Sequence, residues 1–162
     1  MENERIVGDS RTAPRRRQRK IAGYRNGIIN KSIICGKKIL VVDDETGPRE
    51  TIRMLFETYG AIVQTAEDGY DALKILESGS FDLITTCLHF EGLGGGGRDL
   101  CKEIQARGIT TPIVIISALI FSWVNYEIEG VVDVIAKPFD LQDFKRRMEK
   151  VLEKVHPLDE TK

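Results

Sequence analysis

From residue 38 onward the chain alternates two kinds of segment. Short apolar runs rich in β-branched residues fall at 38–43, 61–66, 82–87, 113–117 and 132–136. Between them lie stretches whose apolar residues recur at helical spacing. Ile52, Leu55 and Phe56 share one face of the first. Tyr70, Leu73 and Leu76 recur every three residues in the second and, with Ala72 and Ile75, predict its buried stripe. Further helices are predicted at 98–107, after Ser117, and at 140–155. In the last, Asp140 is the expected N-cap, and Leu141, Phe144, Met148, Val151 and Leu152 are expected to face inward. Gly60 and Gly79 are expected to end helices in left-handed caps. Five strands alternating with five helices predict an α/β fold, a doubly wound five-stranded parallel sheet covered on both faces.

The charge is unevenly distributed. The 162 residues carry a formal net charge of only −1. Residues 1–38 hold eleven Lys and Arg against three Asp and Glu, or +8; residues 39–162 hold thirteen against twenty-two, or −9. A basic segment therefore precedes an acidic domain. The segment contains Arg15-Arg16-Arg17-Gln18-Arg19-Lys20 but no sustained apolar period. We read residues 1–37 as a disordered tail, 38–156 as the domain and 157–162 as a short C-terminal tail, with Ile28-Ile29 and Ile33-Ile34 available to dock locally. Nucleic-acid binding through the basic tail lacks support from aromatic residues interleaved with the Arg15–Lys20 run to stack on bases, so a solvated tail is the better reading. Three cysteines without ligand-like spacing, and no apolar run of membrane-spanning length, point to a reduced cytoplasm.

In a parallel sheet of this kind, ligands bind at the carboxyl ends of the strands. Asp43 and Asp44 end the first predicted strand, Cys87 the third, Ser117 the fourth, and Lys137-Pro138 follow the fifth. Four segments carry a resemblance here: Ile39-Leu40-Val41-Val42-Asp43-Asp44-Glu45, Phe81-Asp82-Leu83-Ile84, Pro112 through Ala118, and Ile135-Ala136-Lys137-Pro138-Phe139. Together they resemble the receiver domain of two-component response regulators, over roughly residues 38–155.

The resemblance implies a flavodoxin-like (βα)5 fold with a phosphoryl pocket. Asp43 and Asp44 would hold Mg²⁺, a hard cation that takes oxygen ligands. Ser117 would contact a phosphoryl oxygen and Lys137 would pair with the group, with Pro138 in a cis peptide bond. In an unphosphorylated pocket Lys137 is expected to bridge to Asp43 or Asp44. The departures matter more. The family's acceptor aspartate is replaced by Cys87, which cannot form an acyl phosphate. Losing that oxygen ligand should weaken Mg²⁺ binding. Two carboxylates against one ammonium favour the neutral thiol. The position of the family's switch aromatic is Val134, which has no polar tip to swing. Gly94-Gly95-Gly96-Gly97, with two extra residues, predicts a mobile loop before the next helix.

The expected function is therefore a receiver-like signalling domain, degenerate in its chemistry, not an enzyme, acting by contacts with a histidine kinase or an output protein. One alternative is a metal- or redox-sensing domain using Cys87 and His89 with Asp43 and Asp44, a donor set suited to zinc or ferrous iron. Another is a conventional phosphorelay receiver carrying an acceptor-site mutation. The apolar run Leu119 through Ile128, around Trp123, predicts a docking or homodimer surface formed by the fourth and fifth helical stretches.

Overall fold

The computed structural model describes residues 32–89, 96–118 and 128–155. Five strands form one sheet: β1 (Lys38–Val42), β2 (Ile62–Ala66), β3 (Leu83–Thr86), β4 (Ile113–Ser117) and β5 (Val131–Ala136). All pairings are parallel, in the order β2-β1-β3-β4-β5. Four helices lie among the described residues: α1 (Thr46–Thr58), α2 (Gly69–Ser78), α3 (Gly97–Ala106) and α4 (Leu141–Val155). The fold is the predicted flavodoxin-like one.

Successive residues of a strand point to opposite faces, so each central strand feeds two cores. Ile39, Val41, Leu83, Val114, Ile116 and Ile135 meet Ile52 and Phe56 of α1 and Phe144, Met148 and Leu152 of α4. On the other face Leu40, Val42, Ile84 and Ile113 meet Ala72, Leu73 and Leu76 of α2 and Leu100, Cys101 and Ile104 of α3. Fully burying one such side chain contributes roughly 1.5–3 kcal/mol. Double burial explains why β3 and β4 read as unbroken runs while the outer strand β5 alternates.

Local signals set the helix boundaries. The Asp140 carboxylate accepts from the amides of Gln142 and Asp143 at 2.9 Å and so caps α4 as expected. Asp68 accepts from the Asp71 amide and caps α2. Gly60 follows α1 at φ +86°, as expected of a left-handed cap. Gly79 differs: its backbone is extended (φ −166°, ψ 165°), and α2 simply runs out into the approach to β3. Two residues expected inside lie outside. Tyr70 is 63% exposed, because a three-residue repeat drifts around a helix of about 3.6 residues per turn. Leu141 is 56% exposed; it opens α4, and Phe139 takes its place by stacking on Phe144 at 4.9 Å.

The packed domain takes in residues before β1. Residues 33–36 form a turn, with Ile34 wholly buried beside Phe56 and Phe144. The Gly36 amide donates to the Gly60 carbonyl at 2.8 Å, and the Ser32 hydroxyl donates to Glu149 on α4 at 2.7 Å. Mobility of the basic tail, the Gly94–Gly95 half of the glycine loop and the apolar run 119–127 were sequence expectations that lie outside the described residues.

Candidate functional site

The strand register brings the candidate residues level. Val42 pairs with Ala66 and Thr86, Thr86 with Ile115, and Ser117 with Ala136. Backbone bonds extend this alignment one residue further: the Asp43 amide donates to Ala66, the Cys87 amide to Val42 and the Lys137 amide to Ser117. Asp43, Cys87, Ser117 and Lys137 therefore stand side by side at one edge of the sheet.

Asp43 is 2% exposed, and both its carboxylate oxygens are engaged. Oδ1 accepts from the Glu45 amide at 3.1 Å; Oδ2 accepts from Lys137 Nζ at 2.6 Å. A buried carboxylate needs such partners, because desolvation penalises its charge. The bridge expected of Lys137 thus goes to Asp43, and the Lys137–Pro138 bond is cis. Asp44 is exposed. Ser117 is 6% exposed at the end of β4.

Cys87 sits among these charges. Its thiol is directed toward Asp44 Oδ1 at 3.8 Å and the His89 carbonyl at 3.2 Å. Burial, then the neighbouring Asp43 charge, push the thiol up to about 12, against smaller opposing pulls from a hydrogen bond with the Asp44 backbone and from Lys137. The neutral thiol expected from sequence is the form present at neutral pH, but burial is the leading cause rather than the carboxylates. One donor atom each from Asp43, Asp44 and Cys87 lies within 4.8 Å of the others. His89 is exposed and meets Cys87 through its backbone carbonyl; its imidazole is not part of that cluster.

Three further residues shape the site. Arg49 on α1 is 7% exposed, and its guanidinium donates to the backbone carbonyls of Asp43 at 2.7 Å and Asp44 at 3.4 Å. The Thr86 hydroxyl donates to the Cys87 carbonyl at 3.0 Å. Gly97 opens α3 against that same carbonyl: a Cβ there would lie 1.9 Å from Cys87 O. The last of the four loop glycines is thus a packing requirement. Arg49 falls in an amphipathic stretch and reads from sequence as one more charged helix residue; its position shortly after an acidic pair at a strand end is the usable signal. Val134, at the expected switch position, is 37% exposed on β5, and its carbonyl accepts from Arg147 at 2.8 Å.

Comparison with known proteins agrees with this geometry. Residues 39–149 match the family described as "Response regulator receiver domain". The response regulator MprA of Mycobacterium avium is 30% identical over 125 residues, covering 76% of this chain and 54% of that protein. MprA of Mycobacterium tuberculosis is 30% identical over 124 residues, covering 75% and 53%. The chain thus spans about half the length of the curated relatives it matches. Among solved structures, Thermotoga maritima TrrA in complex with Mg²⁺-BeF is 28% identical with a TM-score of 0.64, covering 71% of this chain and 98% of that one. NtrX of Brucella abortus is 29% identical with a TM-score of 0.68, covering 74% and 27%. Among the described residues no helix is long and apolar enough to cross a membrane. A sheet edge that aligns two aspartates, a serine and a lysine, and a family match over 39–149, make this chain a member of the response regulator receiver domain family.

Proposed function

We propose that this chain is a receiver module of two-component or phosphorelay signalling that has given up aspartyl phosphorylation and works through protein contacts. The observation that carries the reading is Cys87. It occupies the end of β3, beside Asp43 and Asp44, where a carboxylate nucleophile would be needed for an acyl phosphate. Held neutral by burial, the thiol is also a poor nucleophile in its own right. Ser117 and Lys137 keep the places of phosphoryl contacts without a phosphoryl group to hold. Val134 offers an aliphatic side chain where a polar aromatic would report the pocket's state.

Asp43 and Asp44 fit a hard cation at two of three positions, and the third donor is a protonated sulfur that Mg²⁺ does not favour. Mg²⁺ would therefore bind weakly, supplying charge neutralisation to the acidic pair. That TrrA, a protein of the same fold, was solved in complex with Mg²⁺-BeF supports a cation in this reading. Partners in keeping with the family are a histidine kinase or an output protein in the cytoplasm. Self-association through 119–129 and α4 is the route suggested by the apolar run around Trp123.

Incubation of the full chain with a small phosphodonor and Mg²⁺, followed by intact mass measurement, tests the reading. No hydroxylamine-labile adduct is expected. A stoichiometric labile adduct would place the acceptor on some carboxylate and overturn it.

A further inference from the structure

We propose that Arg49 is the positioning residue of the Asp43–Asp44 pair: it holds the backbone that presents the two carboxylates, and does so without touching them. The inference rests on reading that pair as a cation site.

Arg49 leaves α1 one turn after the acidic pair and folds back beneath it. Nη1 donates to the Asp43 carbonyl at 2.7 Å and the Asp44 carbonyl at 3.4 Å; Nη2 reaches the Thr46 hydroxyl at 3.4 Å and Glu67 at 3.2 Å. A guanidinium alone among side chains supplies donors in a planar fork that spans such a set. Its side chain is 8% exposed while that of Glu67 is 77% exposed, so the bond to the Asp43 carbonyl is the buried one and the ion pair is the solvated one. A solvated pair contributes little. The carbonyls beyond the end of β1 have no strand to bond to, and an unpaired buried carbonyl is costly.

The contrast with Lys137 defines the role. Lys137 bonds a carboxylate oxygen of Asp43 and must yield or share it when a cation arrives. Arg49 bonds carbonyls, and its ion pair among the described residues is with Glu67 on the neighbouring loop. It therefore leaves the carboxylate oxygens available and fixes where they point. The Glu45 amide bond to Asp43 Oδ1 completes the arrangement from the other side.

Two roles for Arg49 predict opposite signs. As a mere positive charge, its removal should tighten cation binding. As a positioning residue, its removal should weaken binding by about 10- to 100-fold, the range seen when groups behind metal ligands are lost. We would titrate the full chain with Mg²⁺ by calorimetry as wild type, Arg49→Met, Arg49→Lys and Asp44→Asn, each also in a Cys87→Asp background for higher affinity. The expected result is weaker binding in Arg49→Met and partial recovery in Arg49→Lys, whose single head group reaches fewer acceptors. Unchanged or tighter binding in folded Arg49→Met overturns the proposal. Should that variant fail to fold, Arg49→Lys decides alone: binding equal to wild type overturns the proposal, and weaker binding supports it. If Asp44→Asn binds as well as its parent, or no background binds Mg²⁺, the cation reading itself fails and takes the proposal with it.

Discussion

At the end of β1, Asp43 has partners on both carboxylate oxygens and on its carbonyl, and Asp44 has one on its carbonyl. One hydrogen-bonded register away, at the end of β3, the arrangement is looser. Thr85 is 1% exposed, and its hydroxyl has no hydrogen-bond partner among the described residues. Cys87 offers a weak S–H donor where a charged acceptor would be expected, and the backbone beyond it is held by a threonine hydroxyl and a glycine contact. Asp43 and Lys137 neutralise one another and tie the ends of β1 and β5 together. Cys87 has no such ionic duty and stands beside them as a small buried thiol. The pocket's electrostatic frame is separable from its chemistry.

The largest effect should come from breaking the tighter end. Lys137→Ala leaves a carboxylate that is 2% exposed without its cation. Removing one partner of a buried pair costs about 3–5 kcal/mol. Urea denaturation at pH 7 should show a loss in that range. A loss below about 1 kcal/mol would mean that the Asp43 carboxylate is solvated and the two ends do not differ as described.

Cys87→Asp asks whether the looser end can be rebuilt. A third carboxylate beside Asp43 and Asp44 should destabilise the metal-free domain by about 2 kcal/mol. Mg²⁺ should restore that stability and bind more tightly than in the parent, because the new oxygen is a ligand it favours. Chelation should then reverse the gain. Equal Mg²⁺ affinity in the two proteins would show that position 87 does not face the acidic pair.

Much of this was legible in advance, and the reasons differ by residue. Double burial makes the central strands continuous β-branched runs, so their ends, and with them Asp43, Asp44, Cys87 and Ser117, could be placed by counting, while Lys137 follows the alternating outer strand and was placed by the Lys137-Pro138 resemblance. Asp140 was legible because capping is a local bond. Arg49 was not, since its acceptors are backbone carbonyls and carry no residue identity. Ile34 was uncertain for a related reason: two isoleucines in a basic segment have no period, and only the gap between α1 and α4 gives them a place. Tyr70 and Leu141 show the limit of apolar spacing at helix starts, where a residue can share the stripe yet overhang the sheet.

The smallest effect sharpens the comparison from the β3 side. Thr85→Val keeps the shape and removes the unpartnered hydroxyl, so stability should rise by about 0.5–1 kcal/mol. Equilibrium urea melts would resolve such a gain. A loss instead would mean that the hydroxyl has a bound partner and that this end is as well satisfied as the other.

The turn before β1 has a mechanical consequence. Tension applied to the chain ahead of Ser32 would not load the β1 ladder first. It would be borne by the Ser32–Glu149 bond, the Gly36–Gly60 bond and the seat of Ile34 between α1 and α4. Whatever is attached upstream pulls on the joint between two helices of one face, while the acidic edge of the sheet stays slack.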